Sequence, residues 1–414
     1  MKHKKLTITA ASLLTAFTAQ VQAGFYDWQG GTSSDWSDNS NWQGGNGVGA
    51  ADTARIYNSG VTMLPTAVLS GSASVSQVWL GSQNNGSLES GALTVQSGAT
   101  LSTSGGFIVS ENSTLASSGA ISVGDGNGMI VRDAGNVTLN SGATLNKITL
   151  GENSTATFNA GSTVTTIQNL SNNAQLTMNN TYSSNLFMNQ ASSLTVNGTL
   201  NGNFGINSTA MQYVGEAGTV TGEIELNGSD QMTVAGNVTG RFSLNQTSQA
   251  FIEATANILS DSGNSWIYNT AAITWNVGAD GSIGTLKTSR LEQNAGQFDG
   301  EWRYDSSAAD MVVDLSAYEA DGSSISLQLV SGIQNESAFA SNVTFLQDGT
   351  DVTADFAWDG AGTGSFTGVL TNPNTSDSDG DGVNDSEDAF PNDASETVDT
   401  DSDGVGDNAD AFPS

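Results

Sequence analysis

Two acidic runs near the end of the sequence have the residue types and spacing of a metal-binding loop. In each run, aspartates occupy positions 1, 3, 5, 9 and 12 of a twelve-residue segment. Ca²⁺ prefers about six to eight oxygen ligands, and alternate residues of a curling loop turn their carboxylates inward. The spacing therefore predicts calcium binding in both runs, which begin at Asp377 and at Asp399.

The residues between the aspartates also fit calcium loops. Gly382 and Gly404 at position 6 allow a sharp turn, and the position 7 carbonyl of Val383 or Val405 is the expected backbone ligand. Without an ion, carboxylates packed this closely repel one another, and the loop is expected to be extended. Two runs in identical register favour calcium over the alternative, a merely solvated acidic tail.

Both runs match the pattern D-x-D-x-D-G-x-x-D-x-x-D and are followed by Ala-Phe-Pro, and in this they resemble thrombospondin type 3 repeats. EF-hands and dockerins have a similar loop, but they need a helix directly after it, which the proline prevents. The resemblance implies a linear segment that wraps around its ions and, without the family's disulfides, is stiffened by the ions alone. It implies ligands from Asp377, Asp379, Asp381, Asp385 and Asp388, and from Asp399, Asp401, Asp403, Asp407 and Asp410, with Asp393 and Glu396 between the loops as candidates for a shared site.

Composition excludes several other kinds of chemistry. The chain has no Cys, and its one His, His3, lies in a predicted signal peptide. A Ser-His-Asp or Cys-His nucleophilic site and a zinc site of the usual kind are therefore excluded from the mature chain. The net charge of −32 repels a polyanion, so no nucleic-acid partner is expected.

No catalytic residue is predicted, although three features are compatible with a role in carbohydrate chemistry. Glu223 and Glu225 lie about 6.6 Å apart along a strand, a separation compatible with an inverting glycosidase, but two solvated residues on an outer face are favoured. Asp125 in Gly-Asp-Gly-Asn-Gly is interpreted as a turn residue. Trp28, Trp36 and Trp42 could stack on sugars, but packing within a cap is favoured.

The motifs of polysaccharide-cleaving β-helix families are missing from the sequence. Pectin-hydrolysing members use paired aspartates, a Gly-His-Gly segment and an Arg-x-Lys pair, none of which occurs here. Pectate lyases need a basic residue beside a carboxylate with bound calcium. The basic residues of the repeat region are scattered, namely Arg132, Lys147, Arg241, Lys287 and Arg290.

A repeated phrase predicts the elements that carry these residues. The phrase Leu-Thr-Val-Gln-Ser-Gly-Ala-Thr-Leu begins at Leu93 and returns, with small changes, at Val137. Alternation of apolar and polar residues is typical of half-buried strands, and Gly, Asn and Ser mark the turns. We predict an all-β parallel β-helix, or β-solenoid, of about ten coils over residues 75–290, with Asn and Thr hydrogen-bonded from coil to coil. A β-sandwich array is the alternative. Looser copies begin at Ile121, Ala156, Leu176, Leu194, Met232 and Ile273, and most spacings are 16–20 residues.

The flanking segments complete the predicted organisation. Residues 1–23 have the basic start, apolar stretch and small-residue site of a secretory signal peptide. Residues 24–74 form a predicted N-terminal cap, and their Trp, Gly, Asp and Asn pattern resembles the opening of secreted bacterial β-helix, autotransporter-like proteins. Residues 291–372 are predicted as a C-terminal β cap or small β domain, and 373–414 as the extended calcium-binding tail.

Together these features predict a secreted or cell-surface calcium-binding solenoid with a structural or adhesive role. The alternative is a polysaccharide-active enzyme or carbohydrate-binding protein that uses the groove of the helix. Calcium is the expected cofactor, glycans or cell-surface polymers are the expected partners, and no membrane span is expected in the mature chain.

Overall fold

The chain forms a parallel β-solenoid of about ten turns with almost no helix, as the repeats predict. The structure is a computed structural model. It describes residues 23–413 apart from residues 32, 58–63, 85–86, 261–264, 268–269, 289–292, 295–296, 299–301, 305–310, 321, 332, 335, 361, 371–377 and 384–387. The predicted signal peptide, 1–23, lies outside the described residues except for its last one. Within the part of the chain that is described, no helix is long and apolar enough to cross a membrane.

Three parallel strands per coil give the solenoid three faces, because each strand pairs with its equivalent one coil away. Strands of the first face pair in register, as in Leu93 with Leu115 and Leu115 with Val137. Among the described residues, the first face contains Ala67–Leu69, Ala92–Val95, Thr114–Ser117, Asn136–Leu139, Thr155–Phe158, Gln175–Met178, Ser193–Val196, Met211–Val214, Gln231–Val234, Gln249–Ile252, Ala272–Asn276, Met311–Asp314 and Val343–Gln347.

The second and third faces are joined where one strand bends across both. Thr144–Leu150 and Thr163–Leu170 pair along both faces, with a register shift between Ile148 and Thr149. The second face otherwise contains Ser72–Val75, Thr100–Thr103, Ala120–Val123, Thr181–Tyr182, Thr199–Asn201, Thr219–Thr221, Asn237–Thr239, Asn257–Ser260 and Thr285–Thr288. The third contains Phe25–Asp27, Thr53–Ile56, Gln77–Leu80, Phe107–Val109, Met129–Val131, Leu186–Gln190, Phe204–Ser208, Ile224–Leu226, Phe242–Leu244, Ser265–Ile267, Trp302–Tyr304 and Ile333–Gln334.

One predicted repeat start belongs to a different face from the others. Ile121 pairs with Leu101 and Leu145 on the second face, whereas Val137 lies on the first. The predicted 16-residue spacing between them therefore crosses from one face to another, and the true predecessor of Val137 is Leu115. Each face repeats the same apolar-polar-apolar pattern, so the pattern alone cannot distinguish the faces. The starts at Ala156, Leu176, Leu194, Met232 and Ile273 all lie on the first face.

The core is a set of side-chain columns that run along the solenoid axis. In the first face the last inward residue of each strand is almost completely buried, for example Leu139, Phe158, Met178 and Val196 at 0 % exposure. Burying each such side chain contributes about 1.5–3 kcal/mol. Because a single coil encloses too little apolar surface, this burial depends on stacking against the neighbouring coils.

The corners between the third and first faces repeat a strained backbone shape. Four successive corners place two residues in the left-handed region, with φ between 49° and 63°. Their amides bond along the axis, as in Asn153 N to Asn172 O at 2.9 Å and Ala134 N to Glu152 O at 3.1 Å. Asn and Asp tolerate this region best, which explains their frequency here. The pairs are Glu111 and Asn112, Asp133 and Ala134, Glu152 and Asn153, and Asn172 and Asn173.

Asparagine ladders connect the coils, as the sequence predicts. Asn159 donates to Asn140 at 3.1 Å, Asn179 donates to Asn159 at 3.3 Å, and Asn197 donates to Asn179 at 3.0 Å. Each of these residues follows a first-face strand. The ladder satisfies polar groups at a corner and fixes the register between coils.

Parallel pairing extends beyond the predicted solenoid range of 75–290 at both ends. Phe25–Asp27 pairs with Thr53–Ile56 on the third face, and Met311–Asp314 pairs with Val343–Gln347 on the first. Ser324–Gln328, Ser365–Val369 and Phe356–Trp358 form an antiparallel sheet, whose first strand lies in the chain between the last two first-face strands. The remaining described elements are the strands Ser82–Asn84, Ser87–Glu89, Gln293–Asn294, Gln297–Phe298 and Thr350–Asp351, the α-helix Glu336–Ala340, and the 3-10 helices Asn39–Asn41, Gln43–Gly45 and Thr353–Asp355.

Candidate metal centre

The first acidic loop brings three predicted ligands together. Asp379, Asp381 and Asp388 each offer a carboxylate oxygen, and these oxygens lie within 4.8 Å of one another. All three side chains are partly or largely buried. Asp377 and Asp385, the other two predicted side-chain ligands, lie outside the described residues.

Short-range hydrogen bonds shape this loop. Asp381 Oδ1 accepts from the amide of Val383 at 2.8 Å, and Asp388 Oδ1 accepts from the amide of Phe390 at 2.8 Å. Each bond closes a turn in which one carboxylate oxygen is used locally. Gly380 and Gly382 adopt φ of 80° and 96°, so the left-handed backbone at these positions requires glycine.

Asp388 provides the observation that tests whether the loop fits a cation. The residue is 8 % exposed, and its Oδ2 is buried with no hydrogen-bond partner. A buried carboxylate oxygen without a partner is costly. The neighbouring carboxylates of Asp379 and Asp381 add negative charge rather than compensate it. A hard divalent cation among these all-oxygen donors would supply the missing partner, so the donor set fits Ca²⁺.

The second loop has a similar but more exposed cluster. Asp399, Asp401 and Asp403 place carboxylate oxygens within 4.8 Å of one another. The two oxygens of Asp399 accept from the amides of Asp403 at 3.2 Å and Gly404 at 3.0 Å. Asp403 Oδ1 accepts from Val405 N at 2.9 Å, as Asp381 does from Val383 in the first loop. The two loops therefore share a local design.

Two predicted ligands of the second loop face other partners. Asp407 accepts from the amide of Thr400 at 2.8 Å and from its hydroxyl at 2.6 Å, and these bonds lower the pKa of the Asp407 carboxyl. Asp410 Oδ1 accepts from the amide of Phe412 at 2.9 Å. Neither residue belongs to the cluster of three. The sequence pattern gives no sign of the Thr400 contact, because it joins residues seven positions apart.

Asp393 and Glu396, in the segment between the loops, bond to different parts of the tail. Asp393 accepts from Ser395 through both amide and hydroxyl, which lowers the pKa of Asp393 and closes a turn. Glu396 is 6 % exposed, and its Oε2 accepts from the amide of Asn408 at 3.0 Å in the second loop. Glu396 therefore stabilises the second loop, although it is not one of the aspartates of the twelve-residue pattern. The carbonyls of Val383 and Val405 remain predicted backbone ligands.

Comparison with protein-family models, with curated proteins and with solved structures finds no match to this chain.

Glu223 and Glu225, whose spacing is compatible with a glycosidase, both form ion pairs with Arg241. Glu223 and Glu225 flank buried Ile224 and point outward from the third face. Arg241 Nη2, from the next coil, lies 3.1 Å from Glu223 Oε2 and 3.6 Å from Glu225 Oε2. This arrangement is an ion pair between coils on an outer face.

The other residues compatible with carbohydrate chemistry, Asp125 and the three tryptophans, have structural contacts. Asp125 Oδ1 accepts from Asn127 N at 2.7 Å in a turn. Trp28, Trp36 and Trp42 are at most 5 % exposed. Trp42 packs edge-on against the other two, with ring centroids 5.1 and 4.8 Å apart. Their faces are therefore occupied by protein.

Proposed function

We propose that this protein is a secreted or cell-surface solenoid whose C-terminal tail binds calcium and whose role is structural or adhesive. The observation that carries the calcium part is the buried Asp388 oxygen, which has no hydrogen-bond partner and lies beside the carboxylates of Asp379 and Asp381. The exported location rests on the signal-peptide pattern of residues 1–23.

The residues that would hold calcium are the two clusters, one in each loop. In the first loop, Asp379, Asp381 and Asp388 would surround the ion, and the local bonds to Val383 N and Phe390 N would keep two of the carboxylates oriented. Bound Ca²⁺ supplies positive charge that relieves repulsion between carboxylates and orders the loop. Extracellular calcium modules bind with dissociation constants of about 10⁻⁴–10⁻³ M, which suits a tail that is ordered only after export.

The structural or adhesive part rests on the solenoid itself. About ten turns at roughly 4.8 Å per turn give a rod on the order of 50 Å long. Its outward positions on the first face are mostly Thr, Ser, Asn and Gln, for example Thr138, Thr157, Thr177 and Thr195. A regular polar surface of this kind suits contact with polymers over several coils.

Isothermal titration of the full chain with CaCl₂ tests the calcium part. Wild type should bind with a millimolar or tighter dissociation constant, and MgCl₂ should bind more weakly because Mg²⁺ demands a stricter octahedron. Asp381→Ala combined with Asp403→Ala should abolish most of the heat. A matched control is Asp280→Ala combined with Asp351→Ala, which removes two exposed turn carboxylates outside the tail. Equal heats for both double variants would refute the assignment.

A polysaccharide array tests the adhesive part against the enzymatic alternative. Binding without released sugar supports adhesion, and loss of that binding in chelator would link the tail to attachment. Release of reducing ends would favour the polysaccharide-active alternative over a structural role.

A further inference from the structure

The asparagine ladder is interrupted for two coils. First-face strands end in residues that pair from coil to coil, so the residue after each strand occupies one equivalent corner position. Gln96 and Ser118 occupy this position in earlier coils, asparagine fills it from Asn140 to Asn197, and Glu253 and Asn276 resume a polar side chain further along. In between, Gly215 and Ala235 lack a side chain that could continue the ladder. From Asn140 to Asn276 the column is Asn140, Asn159, Asn179, Asn197, Gly215, Ala235, Glu253 and Asn276.

The missing side chains leave a cleft at the corner of the solenoid. The cleft has a volume of about 220 Å³ and opens to solvent. Two coils without ladder side chains correspond to a gap of about 14 Å between the backbone of Asn197 and that of Glu253, three steps of roughly 4.8 Å. The lining residues are Tyr213, Glu216, Ala235, Glu253, Ala254 and Thr255.

The walls of the cleft combine an aromatic ring with carboxylates. Tyr213 points outward from its strand and is 37 % exposed, in a column otherwise occupied by Thr195 and Thr233 in the adjacent coils. Glu253 Oε1 accepts from Asn276 Nδ2 at 2.8 Å, which holds this carboxylate in place. Glu216 lies exposed at the rim.

Asn197, which is not among the residues that line the cleft, is the last asparagine of the ladder before the interruption. Its Nδ2 donates to Asn179 at 3.0 Å, and its Oδ1 faces the Cα of Gly215, where a Cβ would lie only 2.3 Å away. The ladder thus ends in an oxygen directed toward the next coil, which has no side chain to meet it. Among the described residues that line the cleft, none is Lys, Arg or His.

We propose that this cleft binds one amine-bearing pyranose unit of a glycan, a 2-amino-2-deoxy sugar, with the sugar face on the ring of Tyr213. The apolar face of a pyranose suits an exposed aromatic ring. A sugar hydroxyl can donate to Thr255 Oγ1, whose own hydrogen is donated to the carbonyl of Ala235 at 2.8 Å. The carboxylates of Glu216 and Glu253 line the cleft with no cationic side chain among the described lining residues. This negative charge favours a protonated amine and repels a uronic acid. The proposal deepens the adhesive part of the proposed function and is independent of its calcium part.

A small glycan with and without free amines tests the proposal on the full chain. The probes are a β-1,4-linked glucosamine tetrasaccharide and its fully N-acetylated counterpart, titrated in chelator and again in millimolar calcium. The free-amine probe should bind at least fivefold more tightly than the acetylated one, and more weakly as salt is added, because the attraction is between charges. Calcium should leave both affinities unchanged.

Variants of the cleft separate the ring from the charges. Tyr213→Ala should weaken binding of the amine probe roughly tenfold, whereas Tyr213→Phe, which keeps the ring face, should stay within about threefold of wild type. Glu216→Gln combined with Glu253→Gln should remove the preference for the free amine. Phe187→Ala, which deletes an exposed aromatic ring on the third face and away from the cleft, is the matched control and should bind as wild type does.

Several outcomes would overturn the proposal. These are no binding of the amine probe, equal binding of both probes, or wild-type binding by Tyr213→Ala. A chain that binds the amine probe but gives no calcium heat would refute only the calcium part of the proposed function. A chain that gives calcium heat but does not bind the amine probe would refute only the proposal that the cleft binds the sugar.

Discussion

The asparagine ladder predicts a graded pattern of stability losses along four coils. Asn159 and Asn179 each take part in two ladder bonds, whereas Asn140 and Asn197 at the ends each take part in one. A neutral hydrogen bond contributes about 0.5–1.5 kcal/mol net, and these bonds are partly buried or exposed, so water replaces part of each loss. Replacement by alanine should therefore cost about 1 kcal/mol at the two interior positions and about 0.5 kcal/mol at the ends.

Urea unfolding followed by circular dichroism measures this pattern. The free energy of unfolding should fall in the order wild type, end variants, interior variants. Because solenoids can unfold coil by coil, each variant also needs a check that its transition retains the slope of wild type. A double-mutant cycle between Asn159 and Asn179 should give a coupling of about 0.5–1.5 kcal/mol. Equal losses at all four positions, or a larger loss at the ends, would refute the ladder as a stabilising unit.

Three further changes have predictable effects. Ala134→Asn should raise the free energy of unfolding by about 1 kcal/mol in urea, because Asn tolerates the left-handed φ of 59° and restores the residue type of the neighbouring corners. Phe158→Ala should lower it by about 3–5 kcal/mol, since Phe158 is fully buried, while Phe187→Ala at 61 % exposure should change it by less than about 0.5 kcal/mol. Burial, and then the hydrogen bond to Asp27, raise the pKa of Tyr57 above its ordinary value of 10.0. Because the pKa is higher in the folded state, the neutral Tyr57 hydroxyl stabilises the fold below pH 10.0, and this contribution is lost as the pH rises through the folded pKa. Tyr57→Phe should therefore reduce the loss of stability at alkaline pH.

Each of these predictions has a contradicting result. Destabilisation by Ala134→Asn would mean that this corner does not accept asparagine. A loss below about 1 kcal/mol for Phe158→Ala would contradict a close-packed core column. An unchanged alkaline unfolding profile for Tyr57→Phe would contradict the buried contact with Asp27.

The sequence predicts the fold well because the coil repeats are local. The phrases at Leu93 and Val137 contain a first-face strand, a corner and the start of a second-face strand, so periodicity and turn residues are sufficient to identify them. The assignment of Ile121 fails because the faces share one alternation pattern. Strand pairing, rather than any local signal, decides to which face a strand belongs.

The candidate site is predicted less completely than the fold. Spacing predicts five aspartate ligands in each loop, and three of them, such as Asp379, Asp381 and Asp388 in the first loop, lie together in the structure. It does not reveal the contact of Asp407 with Thr400 or the brace from Glu396 to Asn408, since both depend on how the tail folds back on itself. The cleft beside Tyr213 is likewise invisible in sequence, because it arises from what two successive coils lack.

Hydrogen exchange of the full chain with and without calcium tests most directly the claim that the tail is a calcium-binding segment. Millimolar Ca²⁺ should slow exchange of the amides that bond to the cluster carboxylates, such as those of Val383, Phe390 and Val405, and leave the solenoid strands unchanged. Asp381→Ala combined with Asp403→Ala should abolish the protection. Unchanged exchange in residues 378–413 at 10 mM Ca²⁺, a concentration about tenfold above the weakest expected dissociation constant, would contradict the claim.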